Sequence, residues 1–174
     1  MIAPPSLPRA VRVREAASTD LAAIGRLHAW SQRATYRSIL PPGATDGIKD
    51  DHSHATWRAR MASPGTRHLL VAESSTEILG FGLVTAESNS WATLNALHVR
   101  PDLHGFGIGT TLLGALLDAA RGWGRPQAYL SVLAQNHDAR GFYAHHGWTL
   151  VGAGPEHAIA GHSVGTLRYT LFLT

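Results

Sequence analysis

The sequence predicts an α/β or α+β domain built on a mixed sheet. Two observations lead there. Short β-rich runs alternate with segments of helical periodicity, and one strand-like run passes through a glycine-rich turn straight into a helix with one apolar face. The length of 174 residues suits one domain, in which roughly 70% of the unfolded surface can be buried without staples. With Cys 0, a disulfide framework and a Cys-ligated metal site are excluded.

Val11–Glu15 alternates apolar and charged residues, as a half-exposed strand does. Ser18-Thr19-Asp20 offers N-cap side chains to a helix whose apolar stripe runs Leu21, Ile24, Leu27, Trp30. Pro41-Pro42-Gly43 stops any further helical structure there, and Asp50–Met61 is a polar helix ended by Ser63-Pro64-Gly65. His68–Glu73 and Glu77–Thr85 form a hairpin about Ser74–Thr76, and Trp91–Val99 is the next strand. From Gly107 to Arg121, Ile108, Leu112, Leu113, Leu116, Leu117 and Ala120 trace one helical face, ended by Gly122 and Gly124. Ala128–Leu133 is strand-like, Ala139–His145 a short helix, and Thr149–Val151 and Thr166–Leu173 the final strands. No linker divides the chain, so residues 1–10 read as a flexible N-terminus and 11–174 as a single domain.

Lys+Arg 15 against Asp+Glu 12 leaves a formal charge of +3. No run of like charges accompanies it, which argues against nucleic acid and suits a small anionic ligand. The first fifteen residues lack a sustained apolar region, and Leu112–Ala120, interrupted by Asp118, is too short to span a membrane. The reading is cytoplasmic, with no membrane partner. The 11 histidines invite a metal reading, but His52-x-His54 and His145-His146 lack helical ligand spacing, and none is expected.

The chemistry concentrates in Leu94–Gly109, where a strand ending at Pro101 leads through Gly105, Gly107 and Gly109 into a helix. Free N–H groups at a helix start, with the helix dipole behind them, favour a phosphate or pyrophosphate. A P-loop is excluded, since no Lys-Ser/Thr comes after the glycines, and so is the G-x-G-x-x-G spacing of a dinucleotide fold. A second constellation lies downstream: Asn136-x-x-Ala139-x-x-Phe142-Tyr143-x-x-x-Gly147-Trp148.

Together the two motifs resemble those of the GNAT superfamily of acetyl-CoA-dependent N-acetyltransferases, Q/R-x-x-G-x-G/A and N-x-x-A-x-x-F-Y-x-x-x-G-F/W. His104 stands in the usual Gln/Arg position, and the second motif matches throughout. The resemblance spans about residues 11–173. It implies a mixed, mostly antiparallel sheet of about six to seven strands flanked by about four helices, with a splayed strand pair holding acetyl-CoA as cosubstrate.

It also implies residue roles. The pyrophosphate would sit on the amides of His104, Gly105, Phe106, Gly107, Ile108, Gly109 and Thr110. The pantetheine arm would pair with the strand edge at Leu97, His98 and Val99, the Leu97 amide stabilising the oxyanion. Asn136 would contact the arm and Ala139 would complete the coenzyme site. Tyr143 would protonate the leaving thiolate, unless it and Phe142 are core anchors.

Where relatives carry a Glu or His base, this chain has Thr93 and Asn95, which could at most position a water. Strict alternation puts Thr93, Asn95 and Leu97 on one face and His98 on the other. Glu156, His157 and His162 are alternative bases, and an amine of low pKa would need none. Asp46, Asp50, Asp51 and Glu87 either recognise a cationic amine or are solvated. Trp30, Tyr36 and Trp57 divide between core and acceptor wall.

The expected activity is therefore direct transfer of acetyl from acetyl-CoA to a primary amine of a small molecule or peptide. The alternative is a non-catalytic acyl-CoA sensor of the same fold. Without cysteine, no Cys-based acetyl-enzyme can form. Homodimers are common in the family.

Overall fold

Leucine-rich helical faces and β-rich runs assemble around a central sheet. The computed structural model describes residues 10–75, 77–87 and 90–173. Residues 1–9 of the expected flexible terminus lie outside them. In chain order come β1 (Arg12–Glu15), α1 (Leu21–Tyr36), α2 (Asp50–Ala62), β2 (Arg67–Glu73), β3 (Ile78–Ala86) and β4 (Trp91–Val99). After them come α3 (Ile108–Gly122), β5 (Gln127–Leu133), α4 (His137–His145), β6 (Thr149–Ala153), β7 (His157–Ile159), β8 (His162–Val164) and β9 (Thr166–Phe172). Among the described residues the main sheet runs β1-β2-β3-β4-β5-β9-β6. Its pairs are antiparallel except for β4 with β5.

Each face of the sheet carries its own core. On one, α3 buries Ile108, Leu112, Leu113, Leu116, Leu117 and Ala120, the predicted stripe. Gly80 and Gly82 of β3 let it approach: a Cβ on Gly80 would lie 2.9 Å from Leu112 Cδ1, and one on Gly82 would strike Leu116. On the other, Leu21, Ile24 and Leu27 of α1 and Trp57 of α2 pack on Leu69, Val71, Phe81 and Leu83.

Trp30 departs from the predicted stripe and is 38% exposed, with the Arg100 guanidinium 5.5 Å from its ring centroid. An every-third-residue pattern falls back by about 60° per step on a helix of ~3.6 residues per turn, so Trp30 ends opposite Leu21. The Ser18–Asp20 segment is a 3₁₀ turn rather than a side-chain cap for α1. Asp20 instead accepts the Ala17 N–H at 2.7 Å and pairs with Arg14 at 2.6 Å.

The loop expected before the last strand contains the hairpin β7–β8. Its two-residue turn is Ala160-Gly161, at φ 50° and 80°, the left-handed pair that matches strand twist. The hairpin packs Ile159 and Val164 against Leu40, with Tyr36 and Ile39 alongside.

The helix packing yields a paired test. A Cβ on Gly25 of α1 would lie 2.7 Å from the backbone nitrogen of His54 in α2, so Gly25→Ala is expected to destabilise by about 1–3 kcal/mol. Gly114, exposed within α3, has nothing within 4 Å, and Gly114→Ala is expected to stabilise by about 0.5–1 kcal/mol. Thermal melts should move in opposite directions; two downward shifts would contradict the assigned packing.

Candidate active site

β4 and β5 pair only through Trp91↔Gln127, Ala92↔Ala128 and Thr93↔Tyr129. Beyond Thr93 they part around a cleft of about 950 Å³. The unpaired edge of β4 can be read from its other side. The carbonyls of Ala96 and His98 approach Gly82 and Gly80 of β3. Alternate residues direct their polar backbone groups to opposite edges, so the Leu97 and Val99 groups face the cleft. The Val99 carbonyl lies 3.2 Å from His104 Nε2, while the Leu97 N–H points into the gap.

The register of β4 corrects one sequence expectation. Leu83 pairs with Ala96 but Val84 with Leu94, leaving Asn95 as an extra residue. This β-bulge reverses the alternation. Leu94 and Leu97 therefore both pack towards α3, and Leu97 does not share the face of Thr93. Ala96 and His98 turn to the α1 side.

At the mouth of β4, Gly105 and Gly107 adopt φ 84° and 82°, a left-handed backbone that suits glycine. Gly107 is the N-cap of α3. The first-turn N–H groups, Ile108 to Thr110, have no intrahelical acceptor and face the cleft. Phe106 does not line it; its side chain is 40% exposed. On the far side Asn136 caps α4, its Oδ1 accepting the Ala139 N–H at 3.1 Å. That use leaves the Asn136 amide nitrogen, and one lone pair of Oδ1, for a ligand. Ala139, Phe142 and Tyr143 all line the cleft.

Tyr143 is at once a core residue and a cleft residue. It is buried in the α3-side core, edge-on to Trp148, yet it reaches the cleft. No described protein group hydrogen-bonds its hydroxyl. Burial pushes its pKa well above the ordinary phenol value, so it keeps its proton at physiological pH.

The opposite wall comes from α1. Ser31, Gln32 and Tyr36 line the cleft, and Ser31 Oγ lies 2.9 Å from His98 Nδ1. Sequence reading missed Ser31, because a small polar residue inside a helix resembles an exposed one. His98 stacks on Phe81, with ring centroids 5.1 Å apart, and meets His28 edge-on at 4.8 Å. His28 Nδ1 accepts the Trp57 indole N–H at 3.1 Å. Trp57 is therefore core, Tyr36 cleft wall, and Trp30 neither.

Asn95 also lines the cleft. Its Nδ2 donates to Thr85 Oγ1 at 2.6 Å and to the Thr93 carbonyl at 3.0 Å, while Thr85 donates to Glu87 at 2.6 Å. A carbonyl and a carboxylate only accept, so this chain fixes the amide and leaves Oδ1 free as an acceptor. Thr93 itself lies outside the cleft lining.

None of the alternative bases is among the cleft residues: Glu156 accepts a hydrogen bond from Ser163, His162 sits on the hairpin, and His157 lines, with His52, an adjoining hollow that shares Gln32 and Tyr36 with the α1 wall. Asp50 pairs with Arg33 at 3.2 Å, and Asp46, Asp50, Asp51 and Glu87 are not among the cleft residues. Among the described residues no group of three or more His, Asp or Glu is placed to hold a metal, and no helix is long and apolar enough to cross a membrane.

The acetyltransferase (GNAT) family model matches residues 26–148, and the chain belongs to that family. No curated protein matches the sequence. Among solved structures, the PaiA N-acetyltransferase from Thermoplasma acidophilum in complex with coenzyme A superimposes with a TM-score of 0.74 at 20% identity, covering 91% of this chain and 98% of that one. The ribosomal-protein-S18-alanine N-acetyltransferase from Escherichia coli gives 0.71 at 17% identity, with 95% of each chain covered. A variant of the SpeG spermidine N-acetyltransferase from Vibrio cholerae gives 0.68 at 18%, with 94% of each covered. These likenesses establish the shared fold.

Burial of the α1-side imidazoles sets a pH test. Desolvation first, then nearby Arg60, lowers His28 to about 4; desolvation, then His28 and Arg60, lowers His98 to about 3. Both hold fewer protons folded than unfolded below pH 6.5. Stability is therefore complete above that pH and declines towards pH 4, by up to ~1.4 kcal/mol per pH unit for each group. Melting temperatures should fall across this window, with a shallower slope in His98→Gln; an unchanged slope would contradict the assignment.

Proposed function

We propose that this chain transfers the acetyl group of acetyl-CoA directly to a primary amine. The observation that carries the reading is the Leu97 N–H, aimed into the gap between the parted strands, with the glycine turn and the start of α3 at one end. The pantetheine arm would lie along the β4 edge as an added peptide strand, and the diphosphate on the α3 amides. The Leu97 N–H then meets the thioester oxygen as negative charge develops there.

The amine approaches from the α1 wall. The free Oδ1 of Asn95 accepts a hydrogen bond from its N–H or from a water beside it. Nitrogen bonds to the acetyl carbon, the carbon–sulfur bond breaks, and the amine proton leaves to that water. Tyr143 hydrogen-bonds and protonates the departing thiolate. Neutral oxygens rather than a strong base suit an amine that is already partly unprotonated. Proximity and oxyanion stabilisation supply most of the rate. Proteins of this fold named as N-acetyltransferases of ribosomal-protein-S18-alanine and of spermidine support an amine acceptor.

Calorimetric titration with acetyl-CoA, and then thiol release over peptide α-amines, lysine peptides and polyamines, tests this reading. Binding with turnover on at least one amine is expected. Binding without turnover on any would favour an acyl-CoA sensor, and no binding would remove both. Tyr143→Phe should lower kcat by about 10²-fold or more while acetyl-CoA affinity stays within a few-fold. An unchanged kcat would take Tyr143 out of the mechanism.

A further inference from the structure

The coenzyme cleft has an unusual charge inventory for a ligand that carries several phosphates. Its described lining includes no lysine or arginine. It holds His98, His104, His137, His145 and His146, with Asp138 as its carboxylate. His104 lies on the glycine turn before α3, and His145 and His146 lie at the C-terminal end of α4, where His146 meets the first turn of α3.

His146 is wired to that start. Its Nδ1 lies 2.8 Å from the Phe142 carbonyl, and its Nε2 lies 3.0 Å from Thr110 Oγ1. A carbonyl only accepts, so Nδ1 carries the hydrogen. In the neutral ring Nε2 is then an acceptor, and it takes the Thr110 hydroxyl proton. Thr110 belongs to the first turn of α3 and lines the cleft. In this state its hydroxyl has no proton left for a phosphate.

Protonation reverses the polarity. With both ring nitrogens donating, Nε2–H donates to Thr110 Oγ1, and the hydroxyl hydrogen is released to point at a phosphate oxygen on the α3 amides. The same proton adds a positive charge beside that anion.

His146 is the C-cap of α4, where the helix carbonyl end favours a cation. The first turn of α3 contributes no charged side chain. On α4, His145 lies 5.2 Å away ring to ring, Asp138 sits at the other end, and Arg140 is turned to the Ala134 carbonyl and the Tyr169 hydroxyl. The glycine turn contributes His104.

We propose that His146 is a positioning residue for the coenzyme: diphosphate binding at the α3 start is coupled to uptake of a proton on His146, which redirects the Thr110 hydroxyl from the imidazole to the phosphate. The proposal rests on the coenzyme reading above. It assigns to His146 and Thr110 a contact strength that changes with pH, in a cleft whose described lining holds no lysine or arginine.

Isothermal titration of the whole chain with dephospho-CoA, between pH 6 and 8.5, tests it. This probe keeps the diphosphate and lacks the 3′-phosphate monoester, a type of group with a second pKa of about 6. Repeating each titration in buffers of different ionisation enthalpy measures the protons taken up. The expected result is net uptake on binding and an affinity that rises as pH falls, by at most about tenfold per pH unit for one linked proton. His146→Gln should flatten this dependence. Thr110→Val should lose affinity at pH 6 more than at pH 8.5, and Thr110→Ser should restore it.

Binding without proton uptake, or an uptake unchanged in His146→Gln, overturns the proposal. Failure of CoA, acetyl-CoA and dephospho-CoA to bind at any pH would instead overturn the coenzyme reading itself.

Discussion

The parting of β4 from β5 is the constraint on which the rest of the structure depends. Each strand is paired along its outer side, β4 with β3 from Ala92 to Val99 apart from the extra Asn95, and β5 with β9 over Gln127↔Phe172 to Leu133↔Thr166. Between them, pairing stops after three positions. Backbone donors and acceptors beyond that point that no protein group meets, as His104 meets the Val99 carbonyl and Asn136 the Leu133 carbonyl, must find water or a ligand. An extended amide-bearing arm satisfies them as a neighbouring strand would. The sheet therefore behaves as two half-sheets with a peptide-shaped gap between them, and β4 passes directly into the glycine turn and α3.

The bulge at Asn95 gives the gap its two distinct walls. Beyond it, Leu97 directs its backbone to the cleft while its side chain packs towards α3. The next side chain, His98, turns to α1 and meets Ser31. Adjacent residues thus line the β4 edge and the α1 wall of the cleft. The same irregularity places the Asn95 amide against Thr85 and the Thr93 carbonyl, which sets its orientation. Tyr143 is held by packing rather than by hydrogen bonds, so its hydroxyl direction is set by the core around Trp148.

Local chemistry was legible in the sequence. The glycine turn and the α3 stripe each arise from a short run of residues, and the paired motifs indicated the family, whereas the capping of α4 by Asn136 emerged only in the structure. Features that depend on partners were less so. Strict alternation put Leu97 on the face of Thr93, since nothing in the residues themselves announces a bulge whose register is set by β3. The β7–β8 hairpin has three-residue strands, too short for a period, and Ala160 occupies a left-handed position where Asn or Gly is the usual signal. The extrapolated stripe of α1 took in Trp30 because apolar spacing was counted without the helix phase.

In the proposed reaction one backbone group, the Leu97 N–H on the free edge of β4, stabilises the developing oxyanion. A crystal structure of the chain with acetyl-CoA tests its role most directly. The predicted result places the thioester oxygen about 3 Å from the Leu97 nitrogen, the hydrogen-bond distance for an oxyanion donor, with the pantetheine along Leu97 and Val99 and the diphosphate at the first turn of α3. Acetyl-CoA seated elsewhere, or a Leu97 N–H paired with a protein acceptor in the complex, would contradict it.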